Sequence, residues 1–429
     1  MVDNSMQSDN VVANESASLL VIGAGIAGIT AAVEAAETGL DVILIEKNPY
    51  IGGKVTQFSQ YFPKLCPPSC GLEINIRRLR TNPSIKLYTM AEVTNVQTES
   101  GKYKVTVKIQ PRFVNDQCTV CGDCVKVCPE KRKNDFNYGI DDTTSIYLPF
   151  ENAYPQKYVI DKATCKGSSC NKCVEACKYN AIDLNDQVKE ITFGVKSVIW
   201  ATGWEPYDAK KLDLLGFGKY PDVITNVMME RLAAADGPTK GEILRPSTKE
   251  KINSVAFVQC AGSRDENHLE YCSSVCCMAS LKQATYIRER YPDAEIHVHY
   301  IDVRSSGLFE DFYNNIQKDS KIHFHRGKVA KVFTNEATGK LVIEAENSLK
   351  GNLMQNEVEL VVLATGMEPT TKSKNIPLEK KYFDKNGFFN CNGNGIISCG
   401  VSTKPKDVSA VVQEATGSVL KAIQKIKGN

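Results

Sequence analysis

Eight of the chain's sixteen cysteines lie between Cys118 and Cys177. The first four read Cys118-x-x-Cys121-x-x-Cys124-x-x-x-Cys128-Pro129. Gaps of two residues let one tight loop aim three thiolates at a single centre. The fourth cysteine is launched into a helix and aimed at a neighbouring centre. A structural zinc site instead offers Cys-x-x-Cys pairs separated by a longer loop. This spacing therefore selects a 4Fe-4S cluster. A second copy follows as Cys165-x4-Cys170-x-x-Cys173-x-x-x-Cys177, its first gap enlarged by Lys166-Gly167-Ser168-Ser169. Loop closure tolerates such an insertion at small cost. Exchanging the fourth ligands places Cys118, Cys121, Cys124 and Cys177 on one cluster, and Cys165, Cys170, Cys173 and Cys128 on the other.

The rest of the composition narrows the setting. A 429-residue chain is long enough for two or three units sharing a core. A disulfide-stapled secreted scaffold is short and follows a signal peptide, whereas Met1 to Ser18 is polar and acidic and reads as a disordered tail. The net charge of +2 is spread without like-charge runs, which argues against nucleic acid as a partner. No apolar run approaches the ~18 residues of a membrane span. The expected location is the cytoplasm, and clustered cysteines there point to metal or redox work.

Around the cysteine segment the chain reads as α/β. Leu19 to Ile22 is an apolar run suited to a parallel strand covered on both faces. It enters Gly23-Ala24-Gly25-Ile26-Ala27-Gly28, then a helical stretch from Ile29 to Glu37 and a second strand ending at Glu46. In such a turn Gly23 bends the chain, Gly25 lets the backbone approach a pyrophosphate, and Gly28 allows close helix–strand packing. Glu46 suits a ribose hydroxyl pair. The predicted organisation is a dinucleotide-binding unit from 19–110, 186–203 and 361–429, interrupted by the cysteine segment at 111–185 and by a second Rossmann-like unit at 204–360. Strands at Val255–Val258 and Ile296–Tyr300 flank a predicted helix near 275–290. A terminal helix is predicted from Val408 to Ile426.

Several segments resemble known families. Glu46-Lys47 followed by Gly52-Gly53-Lys54 is similar to the segment that lies against FAD in two-dinucleotide-binding-domain flavoproteins of thioredoxin-reductase type. Ala201-Thr202-Gly203 and Ala364-Thr365-Gly366 resemble their crossover strands. The stretch Cys399-Gly400-Val401 to Asp407 stands where their last flavin loop does, without the usual Gly-Asp. This resemblance implies FAD on Gly23, Gly25, Ile26, Ala27, Gly28, Glu46, Lys47, Gly52, Gly53, Lys54, Val93, Ala201, Thr202, Gly203, Gly366, Gly400, Val401, Asp407 and Val408. Relatives using NAD(P)H carry a second glycine fingerprint, but here Val255–Val258 leads into Gln259-Cys260-Ala261-Gly262. No pyridine-nucleotide site is expected. The cysteine segment resembles a bacterial two-cluster ferredoxin inserted into the flavoprotein.

The remaining cysteines sharpen the likeness. Cys260-Ala-Gly-Ser-Arg264-Asp265, with Tyr271-Cys272 and Cys276-Cys277, resembles the signature of HdrA, the flavoprotein component of heterodisulfide reductases. The segments Tyr61–Asn75 and Ala201–Tyr207 are similar to those of the corresponding component in quinone-interacting membrane-bound oxidoreductase complexes of sulfate reducers. The resemblance implies a third 4Fe-4S cluster on Cys260, Cys272, Cys276 and Cys277, in an oxidoreductase subunit that carries electrons and has no catalytic acid–base pair. It also implies partners: a second flavoprotein of the same type, a membrane cytochrome or iron–sulfur subunit giving peripheral membrane attachment, and adenylylsulfate reductase as acceptor of electrons from menaquinone. A heterodisulfide reductase or bifurcating subunit, a sulfur-oxidising relative, and a scaffold with structural clusters are the alternatives. Cys66 and Cys70 read as a buried structural pair or as a flavin-proximal redox pair, the former preferred. Cys391 and Cys399 read as structural, and His323 and His325 as solvent-facing.

Overall fold

A computed structural model describes residues 13–428 except 63–64, 374–375, 391–392 and 394, so Cys391 lies outside the described residues. Strand β1 (Ala13–Ile22), helix α1 (Ile26–Glu37), β2 (Val42–Glu46), helix α2 (Ser69–Thr81) and β3 (Ile85–Thr89) open the chain. An antiparallel pair, β4 (Ala91–Glu99) and β5 (Lys102–Ile109), follows, and β6 (Lys189–Trp200) resumes after the cysteine segment. Together these strands form one sheet in the order β3-β2-β1-β6-β5-β4. Leu19 and Val21 face α1 and the helical side, whereas Leu20 and Ile22 face the opposite layer with Val105, Phe193 and Trp200. This two-sided burial is why the Leu19–Ile22 half of β1 is apolar without alternation. β1 reaches back to Ala13, pairing Asn14 with Thr192, so the end of the expected tail belongs to the sheet.

The second sheet has the order β7-β11-β8-β9-β10 and is parallel throughout. Its elements are β7 (Val223–Thr225), α3 (Asn226–Ala233), β8 (Ser254–Ala261), α4 (Cys276–Arg290), β9 (Glu295–Tyr300), α5 (Phe309–Ile316), β10 (Ile322–Arg326) and β11 (Leu360–Thr365). Because β11 lies between β7 and β8, residues 361–365 belong with this sheet and not with the return to the first one. That return is β12 (Ile396–Ser398), parallel to β6, followed by α6 (Val408–Lys427). Val411, Ala415, Val419 and Ala422 of α6 are buried in the core shared with α1, a spacing of three and four residues as the helical pattern requires.

The cysteine segment leaves the first sheet through a two-stranded neck. Asn115 N–H donates to Ala181 O at 2.8 Å, and Asp183 N–H to Phe113 O at 3.0 Å. Its small core holds Phe113, Val114, Ile146, Tyr158 and Ile160. The stretch between its two halves leans back on the first sheet. Phe136 stacks on Phe150 with ring centres 4.8 Å apart, and both meet Tyr50 edge-on. Arg112 anchors the base, donating to Pro49 O at 2.9 Å and to Tyr158 O and Lys157 O at 3.0 Å.

Candidate functional site

A cavity of about 860 Å³ opens where the two sheets and the cysteine segment meet. Of the residues singled out in the sequence, Gly23, Gly25, Ile26, Ala27, Glu46, Lys47, Gly52, Gly53, Lys54, Val93, Ala201, Thr202, Gly203, Val401, Asp407 and Val408 line it. The turn is built by close backbone contacts. A Cβ on Gly28 would lie 1.8 Å from Gly23 O, and one on Gly53 would lie 2.8 Å from Gly25 Cα. Gly28 therefore packs helix against strand and does not line the cavity. Gly400, whose Cβ would meet Ala27, and Gly366, whose Cβ would meet Ser263 and Ser273, also lie off its wall. Glu46 is buried and accepts Ala24 N–H at 2.7 Å through Oε2 and Asn48 N–H at 2.9 Å through Oε1. Asp407 caps α6 by accepting Ala410 N–H at 2.8 Å.

Charge inside the cavity is paired across segments far apart in sequence. Glu205 meets Lys47 at 3.1 Å and Lys54 at 2.6 Å. Burial acts to raise the Glu205 carboxyl, but the two ammonium groups outweigh it and hold it below the ordinary carboxylate range. On the far wall Lys282 pairs with Glu230 at 3.0 Å, both almost fully buried, and Gln283 and Tyr286 donate to the same carboxylate. Sequence reading missed this wall, and it missed Arg132, Phe136, Tyr138 and Tyr147, which the cysteine segment contributes. The only signal was a lysine and a glutamine among the apolar positions of α4. Two cavity-lining polar atoms, Thr202 Oγ1 and Gln283 Oε1, are buried without a protein partner. A cavity with a glycine turn, a buried carboxylate at the end of the second strand and spare buried polar atoms fits a flavin dinucleotide.

Several of the thiols expected to act together lie near one another. Cys118, Cys121, Cys124 and Cys177 line one small cavity inside the segment, walled by Val114, Ile146 and Tyr158. Cys173 interacts electrostatically with Cys165 and Cys128 of the other predicted set, and with Cys124 across to the first. Gly122 and Asn171, each following a second-position cysteine, both adopt left-handed backbone and start a short helix, which gives the two halves the same turn. Backbone N–H groups of Gly167 and Ala181 donate to Cys165 Sγ and Cys177 Sγ at 3.4 Å. Such donors favour thiolate and tune a cluster. Burial pushes the Cys124 thiol up to about 12 and the Cys173 thiol up to about 11. Binding iron would therefore have to displace protons. Among the described residues no group of three or more His, Cys, Asp or Glu converges on a single metal ion. A cubane, bound at four separate corners by soft thiolates, is what these arrangements suit.

Cys260, at φ +55°, is the last but one residue of β8, while Cys276 and Cys277 begin α4. Ser274 N–H donates to Cys272 Sγ at 3.3 Å, and Cys277 Sγ donates to Asp302 O at 3.7 Å. Burial raises the thiols of Cys260, Cys276 and Cys277, with neighbouring cysteines of the group adding to it. Cys276 and its neighbours Ser274 and Val275 also line the flavin cavity. Where a nucleotide fingerprint would turn, Tyr207 packs instead on Gly262, whose Cβ would lie 2.7 Å from its ring.

Two expectations change. His323 and His325 do not simply face solvent. With His297 and His299 they form a stacked face on β9 and β10, ring centres 4.9–5.2 Å apart between neighbours across the strands. The three cross-strand ring pairs lie within 28° of parallel, and His297 Nδ1 and His325 Nε2 share a hydrogen bond at 2.9 Å. Cys70 is exposed and Cys66 half-buried, so the pair is not a buried structural one. Cys399 is fully buried, as expected, with its thiol pushed up to about 12 by burial.

Residues 18–68 match the FAD-dependent oxidoreductase family. In fold the chain is similar to thioredoxin reductase from Lactococcus lactis (TM-score 0.51, 12% identity, 96% of this chain and 100% of that one). It is similar also to thioredoxin reductase from T. acidophilum (TM-score 0.51, 13% identity, 96% and 98%). The class is an FAD-dependent oxidoreductase with two dinucleotide-binding domains. The HdrA component of the ferredoxin/F(420)H(2)-dependent CoB-CoM heterodisulfide reductase of Methanosarcina acetivorans is 39% identical over 424 residues, 95% of this chain and 53% of that protein. Its counterpart in the H(2):CoB-CoM heterodisulfide,ferredoxin reductase of Methanothermobacter marburgensis is 36% identical over 427 residues, 95% and 64% respectively. The corresponding iron-sulfur subunit of the CoB–CoM heterodisulfide reductase of Methanocaldococcus jannaschii is 36% identical over 421 residues, 94% and 63%. Over nearly its whole length the chain is similar to the A subunits of heterodisulfide reductases, and it spans 53% to 64% of the length of these relatives. Among the described residues no helix is long and apolar enough to cross a membrane.

Proposed function

We propose that this chain is the flavin-and-cluster electron-transfer subunit of a heterodisulfide-reductase-type complex. One observation carries the reading: a single cavity is lined both by the glycine turn and Glu46 and by Cys276 of the third cysteine group. FAD, when bound, supplies a junction between two-electron and one-electron chemistry. In this proposal Gly23, Gly25 and the start of α1 take the pyrophosphate, Glu46 the ribose, and Lys47, Lys54 and Glu205 fix the wall beside it. Cys260, Cys272, Cys276 and Cys277 hold one 4Fe-4S cluster at the cavity's edge. The two sets in the 111–185 segment hold two more and face outward to partner subunits. Cys121 is exposed there.

The names of the relatives favour this reading over the menaquinone-to-adenylylsulfate-reductase relay. That second reading rests on the Tyr61–Asn75 and Ala201–Tyr207 segments, and it requires a second flavoprotein and a membrane cytochrome as partners. Copurification under native conditions separates the two: a heterodisulfide-cleaving or hydrogenase subunit supports the first, a quinone-binding cytochrome the second. In either case the protein, isolated anaerobically, is expected to contain FAD and iron, with its flavin left oxidised by NADH. Rapid flavin reduction by NADH alone would overturn both. Replacing Cys276→Ser is expected to remove about a third of the iron and to leave the ferredoxin-type signals in electron paramagnetic resonance.

A further inference from the structure

Cys66 and Cys70 lie outside the three cysteine groups, and the proposed electron path does not use them. Cys70 sits exposed in the first turn of α2, and Cys66 four residues earlier is half-buried. The backbone between them is folded, not extended: Cys70 N–H donates to Pro67 O at 3.1 Å and Leu72 N–H to Pro68 O at 3.0 Å. Cys66 stands at the entrance to this turn and Cys70 inside it. Tyr61 closes the other side. Its N–H donates to Cys66 O at 3.2 Å, and Leu65, at φ +50°, returns N–H to Tyr61 O at 3.0 Å.

The Tyr61 side chain then joins the pair to the flavin cavity. Its hydroxyl lies within electrostatic reach of the Cys66 and Cys70 thiols. Burial, with both sulfurs beside it, raises this hydroxyl above its ordinary value and keeps it protonated. Tyr61 also lines the cavity, together with Gln57, Phe58 and Phe62. Phe62 is held between Phe309 and Phe312 at ring separations of 5.0 and 5.4 Å, which fixes the segment against α5. An exposed cysteine adds little to packing, so a structural role does not account for Cys70.

We propose that Cys66 and Cys70 form a dithiol–disulfide couple that exchanges two electrons with flavin bound in the adjoining cavity, a role that rests on the FAD reading above. Opening the Cys66–Cys70 bond takes two electrons from reduced flavin and two protons, giving two thiols and oxidised flavin. Closing it reverses both. Tyr61 is a positioning residue whose hydroxyl lies within electrostatic reach of both thiols, and Cys70 is the sulfur that an outside thiol reaches.

The test uses the full chain loaded with FAD and kept anaerobic. The protein is equilibrated in glutathione buffers of graded ratio, alkylated with iodoacetamide and digested for mass spectrometry. Cys66 and Cys70 are expected to pass together from dialkylated to disulfide-linked, with the slope of a two-electron couple. Photoreducing the flavin of the linked form, without added thiol, is expected to return both cysteines to the alkylatable state. Tyr61→Phe, which removes the hydroxyl and keeps the ring, is expected to move the midpoint of the couple, measured per FAD read from absorbance. Independent mixed disulfides with glutathione on the two cysteines, or alkylation only after iron is chelated, would overturn the couple. Flavin reduction that leaves the linked peptide intact would overturn the exchange. Loss of FAD from the starting protein would instead count against the FAD reading itself.

Discussion

At Glu46 one buried carboxylate holds the turn that a cofactor needs, accepting Ala24 N–H and Asn48 N–H before any ligand is bound. Its removal should therefore be felt in the apo-protein. Leaving buried N–H groups unpaired costs roughly 1–3 kcal/mol each. Glu46→Ala is expected to lower the apo-protein's melting temperature and to weaken FAD, whereas a residue serving only the ribose would change affinity alone. Differential scanning calorimetry with and without FAD distinguishes these. Gly28 is stricter, because a methyl group 1.8 Å from Gly23 O forces α1 off the strand. Gly28→Ala is expected to cost several kcal/mol and to abolish FAD retention on gel filtration.

Within elements, the four imidazoles of β9 and β10 share one face because side chains two apart on a strand point the same way, and the strands pair His297 with His323 and His299 with His325. Burial, then the neighbouring rings, holds His297 down to about 4 and His299 down to about 3. The unfolded chain binds these protons near the ordinary 6.5. Stability is therefore complete above about pH 6.5 and is lost as the pH falls toward the folded values. Urea melts at about pH 7 and about pH 5 are expected to differ by up to roughly 2 kcal/mol from His299, and by less from the more exposed His297. His299→Phe should flatten the difference. A second element-scale pair is Lys282 on α4 with Glu230 on α3. Lys282→Met strands a buried carboxylate and is expected to cost about 3–5 kcal/mol in chemical denaturation, with Glu230→Gln/Lys282→Met recovering part of it.

Across the whole molecule, one cavity takes its walls from the glycine turn, from α4 and the Arg304–Phe309 loop, and from residues 132–149 of the cysteine segment. A ligand that binds only the assembled cavity stabilises every wall it touches, by about 2.7 kcal/mol at a hundredfold excess over its dissociation constant. Hydrogen exchange is expected to slow on adding FAD in residues 132–149 and near Phe309 as well as in the glycine turn. Protection confined to residues 23–54 would show that the segments do not close on a shared ligand.

What could be read without coordinates was chemistry governed by short spacing. The ferredoxin-type runs, the glycine turn with its acid, and the apolar period of α6 each depend on neighbours within a few tens of residues at most, and the structure gathers Cys118, Cys121, Cys124 and Cys177 around one cavity. Loop and helix geometry already limits where such side chains point, so their spacing alone carries the information. The tertiary structure alone decided which long-range neighbours met. It put β11 into the second sheet, stacked four histidines across two strands, set Cys276 on the flavin wall and left Cys70 exposed beside Tyr61. These depend on strand order and on which faces pack. Those are fixed by the summed burial of residues hundreds of positions apart, and no local pattern records that sum.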